Sequence, residues 1–132
     1  MTVFVDTSAF LAYLDRSDEN HETAVATWTQ LLHNRELLVC TNYILIESSA
    51  LIQNRLGMAA IRDFQELFIP LLRIEWIDES VHQTGVAAWL AANRRRLSLV
   101  DVTSFETMRR LFINTAFAFD QHFVEQGFSC LK

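Results

Sequence analysis

Lysine is almost missing from this chain of 132 residues. Lys132 is the sole one, and 11 lysines and arginines stand against 16 aspartates and glutamates, for a formal net charge of −5. That balance argues against a protein that grips nucleic acid through a broadly basic surface. It leaves open one that meets phosphates through bound divalent cations, because the ion's own charge enters the local sum. Glycine (3) and proline (1) are nearly as scarce, so there is little material for linkers, and residues 1–132 are expected to form a single domain. The two cysteines, Cys40 and Cys130, sit in apolar, strand-like stretches with no C-x-x-C pair. They read as buried thiols of a protein in a reducing compartment rather than as a disulfide. No apolar run approaches the ~18 residues that span a bilayer. The first residues carry no basic leader segment, and Asp6 breaks the earliest apolar run. The expected location is therefore cytoplasmic, with no membrane association.

What the chain does have is apolar residues in quantity, 51% against 20% charged, the make-up of a packed globular domain rather than a disordered one. Thr2-Val3-Phe4-Val5 reads as a short buried strand, followed by Asp6 and a helix from about Ser8 to Leu14. A polar connector, whose Asp15 and Asp18 suit helix capping, leads to a helical pattern from Glu22 to about Leu32. Glu36 to Cys40 is a second buried strand, after which Thr41 or Asn42 caps a helix to about Leu56 that Gly57 ends. Met58 to about Leu67 is helical, with Pro70 closing the segment. Leu71 to Ile77 alternates as a third strand, and Asp78 and Ser80 open a helix to about Ala92. Arg94-Arg95-Arg96 follows at that helix's end, either complementing its dipole or meeting a phosphate backbone. Ser98-Leu99-Val100-Asp101 matches a capping box for a helix through Val102, Phe105 and Met108. Thr115 to Phe119 is another short strand ending in Asp120, and Gly127 to Leu131 a weak last one. The alternation predicts an α/β fold, a sandwich built on a parallel sheet.

Four acids stand out from this frame. Asp6 lies where strand becomes helix, a place that suits either a helix cap or a ligand group at the carboxyl edge of a sheet. Glu47 has Tyr43, Ile44, Ala50 and Leu51 as its helical neighbours, so it either sits at the edge of an apolar stripe or is a buried acid that needs a partner. Asp101 belongs to the capping box, and Asp120 repeats the placement of Asp6 at a strand's end. Crossovers of a parallel sheet would bring all four to one edge. Convergent carboxylates without a counter-charge repel, and hard cations such as Mg²⁺ or Mn²⁺ with their preference for oxygen are the natural remedy; zinc would recruit histidine or cysteine. His21, His33, His82 and His122 show no metal-ligand spacing, and His122 is expected to flank the site or face solvent. P-loop, dinucleotide-binding and nucleophile-elbow motifs are absent.

The blocks Val5-Asp6-Thr7-Ser8-Ala9-Phe10, Ile44-Leu45-Ile46-Glu47-Ser48, Leu97 to Phe105 and Ala118-Phe119-Asp120-Gln121-His122-Phe123 together resemble a PIN domain, in particular the small stand-alone PIN ribonucleases that act as toxins of the VapBC type. The resemblance spans nearly the whole chain and all four acidic positions are present. It implies a three-layer α/β/α sandwich with a central parallel sheet and an endoribonuclease dependent on Mg²⁺ or Mn²⁺. Asp6, Asp101 and Asp120 would hold the ion, and Glu47 would complete the shell or orient the water, so that the catalytic set is Asp6, Glu47, Asp101 and Asp120. Thr7, Ser8, Thr103 and Ser104 would contact metal waters or the scissile phosphate, or else serve as helix caps. The implied partners are an RNA substrate, a cognate antitoxin protein and a second copy of the chain in a homodimer. Two rival readings remain. A phosphoaspartate receiver or haloacid-type phosphatase needs a lysine near the phosphoryl group, which this chain hardly offers. The other is a catalytically silent PIN-like interaction module, against which the intact acids argue.

Overall fold

The computed structural model describes residues 1–131. Strand β1 (Thr2–Val5) has Val3, Phe4 and Val5 all fully buried, as expected for a strand covered on both faces. Helices α1 (Thr7–Leu14) and α2 (His21–His33) follow, then β2 (Leu37–Thr41), α3 (Asn42–Leu56) and α4 (Met58–Asp63). A π-helical turn (Phe64–Phe68) and a 3₁₀ turn (Ile69–Leu71) lead to β3 (Arg73–Glu75) and α5 (Glu79–Ala92). The chain finishes with α6 (Leu99–Arg110), β4 (Thr115–Phe117), α7 (His122–Glu125) and β5 (Ser129–Leu131). The five strands form one all-parallel sheet in the order β3-β2-β1-β4-β5. Helices cover both of its faces, giving the three-layer α/β/α sandwich. From β1 the chain first builds outward through β2 and β3, then returns to add β4 and β5 on the other side. The boundary between β1 and β4 is therefore the topological switch point, where the carboxyl ends of adjacent strands splay and leave a crevice.

Two aromatic clusters fill the layers. Phe10 of α1 lies 5.0 Å from Phe64 and 6.1 Å from Phe68, and Trp28 of α2 lies 4.9 Å from Phe68. Phe105 of α6 meets Phe123 of α7 edge-on at 5.0 Å, and Phe123 reaches Phe4 of β1 at 6.3 Å. The first cluster explains a departure from the sequence expectation. The helix expected over Met58–Leu67 is interrupted at Phe64, where π winding carries both Phe64 and Phe68 into the core. The third strand is shorter than Leu71–Ile77, because the 3₁₀ turn occupies Ile69–Leu71. The fourth ends at Phe117 rather than Phe119. Arg94–Arg96 lie beyond the left-handed cap residue Asn93, outside the last turn of α5, and Arg94 pairs with Glu125 of α7 at 3.1 Å instead of sitting over the helix dipole. Cys40 on β2 and Cys130 on β5 are separated by β1 and β4, about 14 Å at ~4.8 Å per strand, well beyond disulfide reach.

Candidate metal centre

Asp6 is at once a cap and a buried acid. It is the N-cap of α1, its Oδ2 accepting from the Ser8 amide at 3.1 Å and from the Ser8 hydroxyl at 2.6 Å, while its own amide donates to Phe117 O and prolongs the β1–β4 ladder. Only 5% of Asp6 is exposed. Burial pushes its carboxyl up to about 7 against the relief of the two Ser8 hydrogen bonds, and the charges of Asp101 and Glu47 add to the rise. Ser8 does a second job. Its Oγ accepts from the Phe119 amide at 3.0 Å, which fastens the segment after β4 to the start of α1 across 111 residues of sequence. That bond takes the place of a ladder bond and carries Asp120 toward Asp6.

Glu47 lies on α3, the helix that Thr41 caps by accepting from the Ile44 amide at 3.2 Å. It is half-buried, whereas the adjacent Ile46 is 72% exposed, so the helix turns the acid inward and the apolar residue outward. Its carboxyl is raised by desolvation, lowered by the nearby Thr7 hydroxyl, and raised again by Asp101 and Asp120. Thr7 in turn accepts from the buried Ser48 hydroxyl at 3.0 Å. Asp101 sits in the first turn of α6, where the reciprocal capping box with Ser98 is fully formed at 3.1 Å in each direction. Desolvation raises the Asp101 carboxyl, the Ser98 amide offsets part of this, and the charge of Asp120 raises it further. Asp120 itself accepts from the His122 amide at 2.9 Å, a tight turn that opens α7.

The four acids named from sequence therefore act on one another electrostatically, as groups at opposite faces would not. Two of them, Asp101 and Asp120, form a trio with His122 whose ligand atoms all lie within 4.8 Å of one another. Asp6 is outside this tight trio, deeper and occupied by Ser8. The half-buried His122 flanks the acids, as expected, and also offers a donor atom to them, which the sequence reading missed. The signal was the Asp120-x-His122 spacing across a loop-to-helix junction. Of the four hydroxyls named from sequence, three make hydrogen bonds inside the fold. Thr7 and Ser8 serve Glu47, Asp6 and Phe119. Thr103 Oγ1 donates to Leu99 O at 2.7 Å and is fully buried. Ser104 Oγ is also buried, and is the buried side-chain oxygen without a hydrogen-bond partner among the described residues.

A divalent ion suits this donor set. In an octahedral shell, ligand atoms stand about 3 Å apart when adjacent and about 4.2 Å when opposed, given metal–oxygen distances of ~2.1 Å. The Asp101–Asp120–His122 spacing needs little adjustment to close on one ion. The charges acting on Asp6 and Glu47 are those of other carboxylates, so a cation relieves what the protein leaves uncompensated. Beside Glu47 a groove of about 460 Å³, lined by Asn42, Tyr43, Ile46, Glu47 and Val100, opens the site to solvent.

Comparison with known proteins agrees with this fold. The 23S rRNA-specific endonuclease VapC20 of Mycobacterium tuberculosis is 30% identical over 127 residues, covering 96% of this chain and 95% of that protein. Its crystal structure, described as that of a sarcin-ricin loop cleaving toxin, superposes with a TM-score of 0.81 at 29% identity over 96% of this chain and 95% of that one. The crystal structure of FitAcB from Neisseria gonorrhoeae shares the fold, with a TM-score of 0.71 at 15% identity over 100% of this chain and 97% of that one. The family model described as PIN domain matches residues 3–128, and the chain belongs to the PIN domain family.

Proposed function

We propose that this protein is a metal-dependent endoribonuclease that hydrolyses RNA phosphodiester bonds, and that it is the toxin of a toxin–antitoxin pair. The observation that carries this reading is the mutual electrostatic action of Asp6, Glu47, Asp101 and Asp120 at the switch point of the sheet, in a chain similar along nearly its whole length to a ribosomal-RNA endonuclease. Mg²⁺ or Mn²⁺ is the resident ion. Once bound, it supplies an acidified water and neutralises charge at phosphorus. Asp101 and Asp120 would hold the ion, and Asp6 would bind it directly or through a water. Glu47, half-buried with its carboxyl raised by desolvation, would complete the shell or orient the attacking water and accept its proton. The capping box fixes Asp101, and the Ser8 bridge fixes Asp120 relative to Asp6, so the carboxylates are in place before substrate arrives. A water nucleophile leaves a 5′-phosphate and a 3′-hydroxyl and makes no use of the 2′-hydroxyl.

The acidic surface of the chain supports an RNA grip that passes through the ion rather than through lysines. The groove beside Glu47 supports an antitoxin segment that seats an apolar side chain next to the acids. A homodimer in the cytoplasm completes the reading; among the described residues no helix is long and apolar enough to cross a membrane. The deciding experiment is cleavage of a 23S rRNA sarcin-ricin loop oligonucleotide and of total RNA, with Mg²⁺ or Mn²⁺ and with EDTA. Asp101→Asn is expected to lower cleavage at least about a hundredfold while circular dichroism stays that of the parent. Undiminished cleavage in the variant or in EDTA would refute the mechanism, and a folded, metal-loaded chain that cuts no RNA would favour the silent interaction module.

A further inference from the structure

The imidazole of His122 is held in a way that the four-carboxylate scheme does not use. Nδ1 lies 3.3 Å from Glu125 Oε2, one turn on along α7, and Glu125 is in turn gripped by Arg94 at 3.1 Å. The other nitrogen, Nε2, faces Asp120 Oδ1 at 4.0 Å, beyond hydrogen-bond reach but at the spacing of two atoms that share an ion. Asp101 contributes the third donor of the trio. The ring is also fixed from behind, since the His122 amide is bonded to Asp120 and Phe123 is buried against Phe105.

A nitrogen that faces Asp120, in a trio completed by Asp101, and whose ring partner lies against a further carboxylate, has the arrangement of a metal-ligating histidine. A simple His122–Asp120 ion pair would be expected to close to about 3 Å. The open 4.0 Å gap leaves room for a third body between them.

Resting on the metal-dependent reading above, we infer that His122 Nε2 is a direct ligand of the ion alongside Asp101 and Asp120, with Glu125 and Arg94 as its positioning residues. The consequence is a choice between ions. Mg²⁺ takes oxygen ligands and dehydrates reluctantly, whereas Mn²⁺ accepts an imidazole more readily in the order of divalent affinities. This centre therefore favours Mn²⁺ over Mg²⁺, a preference that an all-carboxylate site would not have.

The test uses the full chain loaded with Mn²⁺ and pulsed electron paramagnetic resonance. The wild type is expected to show ¹⁴N modulation from a coordinated imidazole. His122→Gln is expected to lose it and to bind Mn²⁺ at least about tenfold more weakly by isothermal titration, with Mg²⁺ affinity changed much less. Glu125→Gln is expected to keep the ¹⁴N signal while losing about 10-fold in Mn²⁺ affinity, the effect of loosening a ligand's outer partner. Thermal melts in EDTA establish that the variants are folded. Mn²⁺ bound without ¹⁴N modulation, or modulation that persists in His122→Gln, would overturn the assignment of His122 and leave the carboxylate centre standing. Mn²⁺ that fails to bind the wild type at all would overturn both.

Discussion

Asp6 carries the clearest conflict between stability and function. Its carboxyl is raised from an ordinary value of 3.8 to about 7 by burial, so the folded chain holds a proton there that the unfolded chain releases earlier. Between about pH 4 and pH 7 the native state binds more protons than the unfolded one, and metal-free stability falls as pH climbs through that window. Below about pH 4 both states are protonated and the penalty vanishes; above about pH 7 both are ionised and it is complete. Asn at this position still accepts the Ser8 bonds as an N-cap but carries no charge. Asp6→Asn in EDTA is therefore expected to be more stable than the parent by ~2 kcal/mol at pH 8, about half the ceiling set by the shift, and equal to it at pH 4. Urea unfolding at the two pH values measures this, and an Asn variant that gains nothing at pH 8 would contradict it. Ser8, whose hydroxyl was expected to meet metal waters or the scissile phosphate or else to serve a helix cap, joins Asp6 to Phe119. No local pattern announces a bond across 111 residues, so this link was not legible in the sequence.

Elements tell the same story at a larger grain. The helix α6 that presents Asp101 lies against α5, and the packing is tight at Gly85, where an added Cβ would stand 3.0 Å from Thr103 Oγ1. Gly85→Ala gains about 1 kcal/mol of helix propensity against that tight contact and is expected to be near neutral. Gly85→Val overpacks the interface and is expected to cost about 1–3 kcal/mol by denaturant unfolding, with a matching loss of metal affinity as α6 shifts. Equal stability of the Val variant would mean that the two helices part freely. The placement of Asp6, Asp101 and Asp120 was legible because each punctuates an element: strand to helix, cap to helix, strand to loop. Glu47 was legible from its apolar neighbours, which the inward turn of α3 explains. Less was readable where tertiary packing overrides local pattern. Phe64 and Phe68 are four apart and suit an ordinary helix, yet the Phe10–Trp28 cluster draws them into π winding. His122 looked peripheral because its orientation depends on Arg94 and Glu125, which lie on different elements.

For the molecule as a whole, the clustered carboxylates store repulsion that the proposed ion would release. Binding to the native state alone at about 100 times the dissociation constant adds ~2.7 kcal/mol, roughly 10 °C in melting temperature for a domain of this size. Differential scanning calorimetry with Mg²⁺ or Mn²⁺ against EDTA is expected to show that rise, and a melting temperature indifferent to both ions would argue against a preformed centre. The strand order gives a further result. β1 is made first but is completed by β4 only after more than a hundred further residues, and Asp120 comes later still. A chain cut short before residue 115 holds Asp6 and Glu47 without β4, and so without the Asp120 and His122 that follow it. Truncated forms ending ahead of β4 are therefore expected to leave the candidate centre unassembled, whatever part of the acid set they retain.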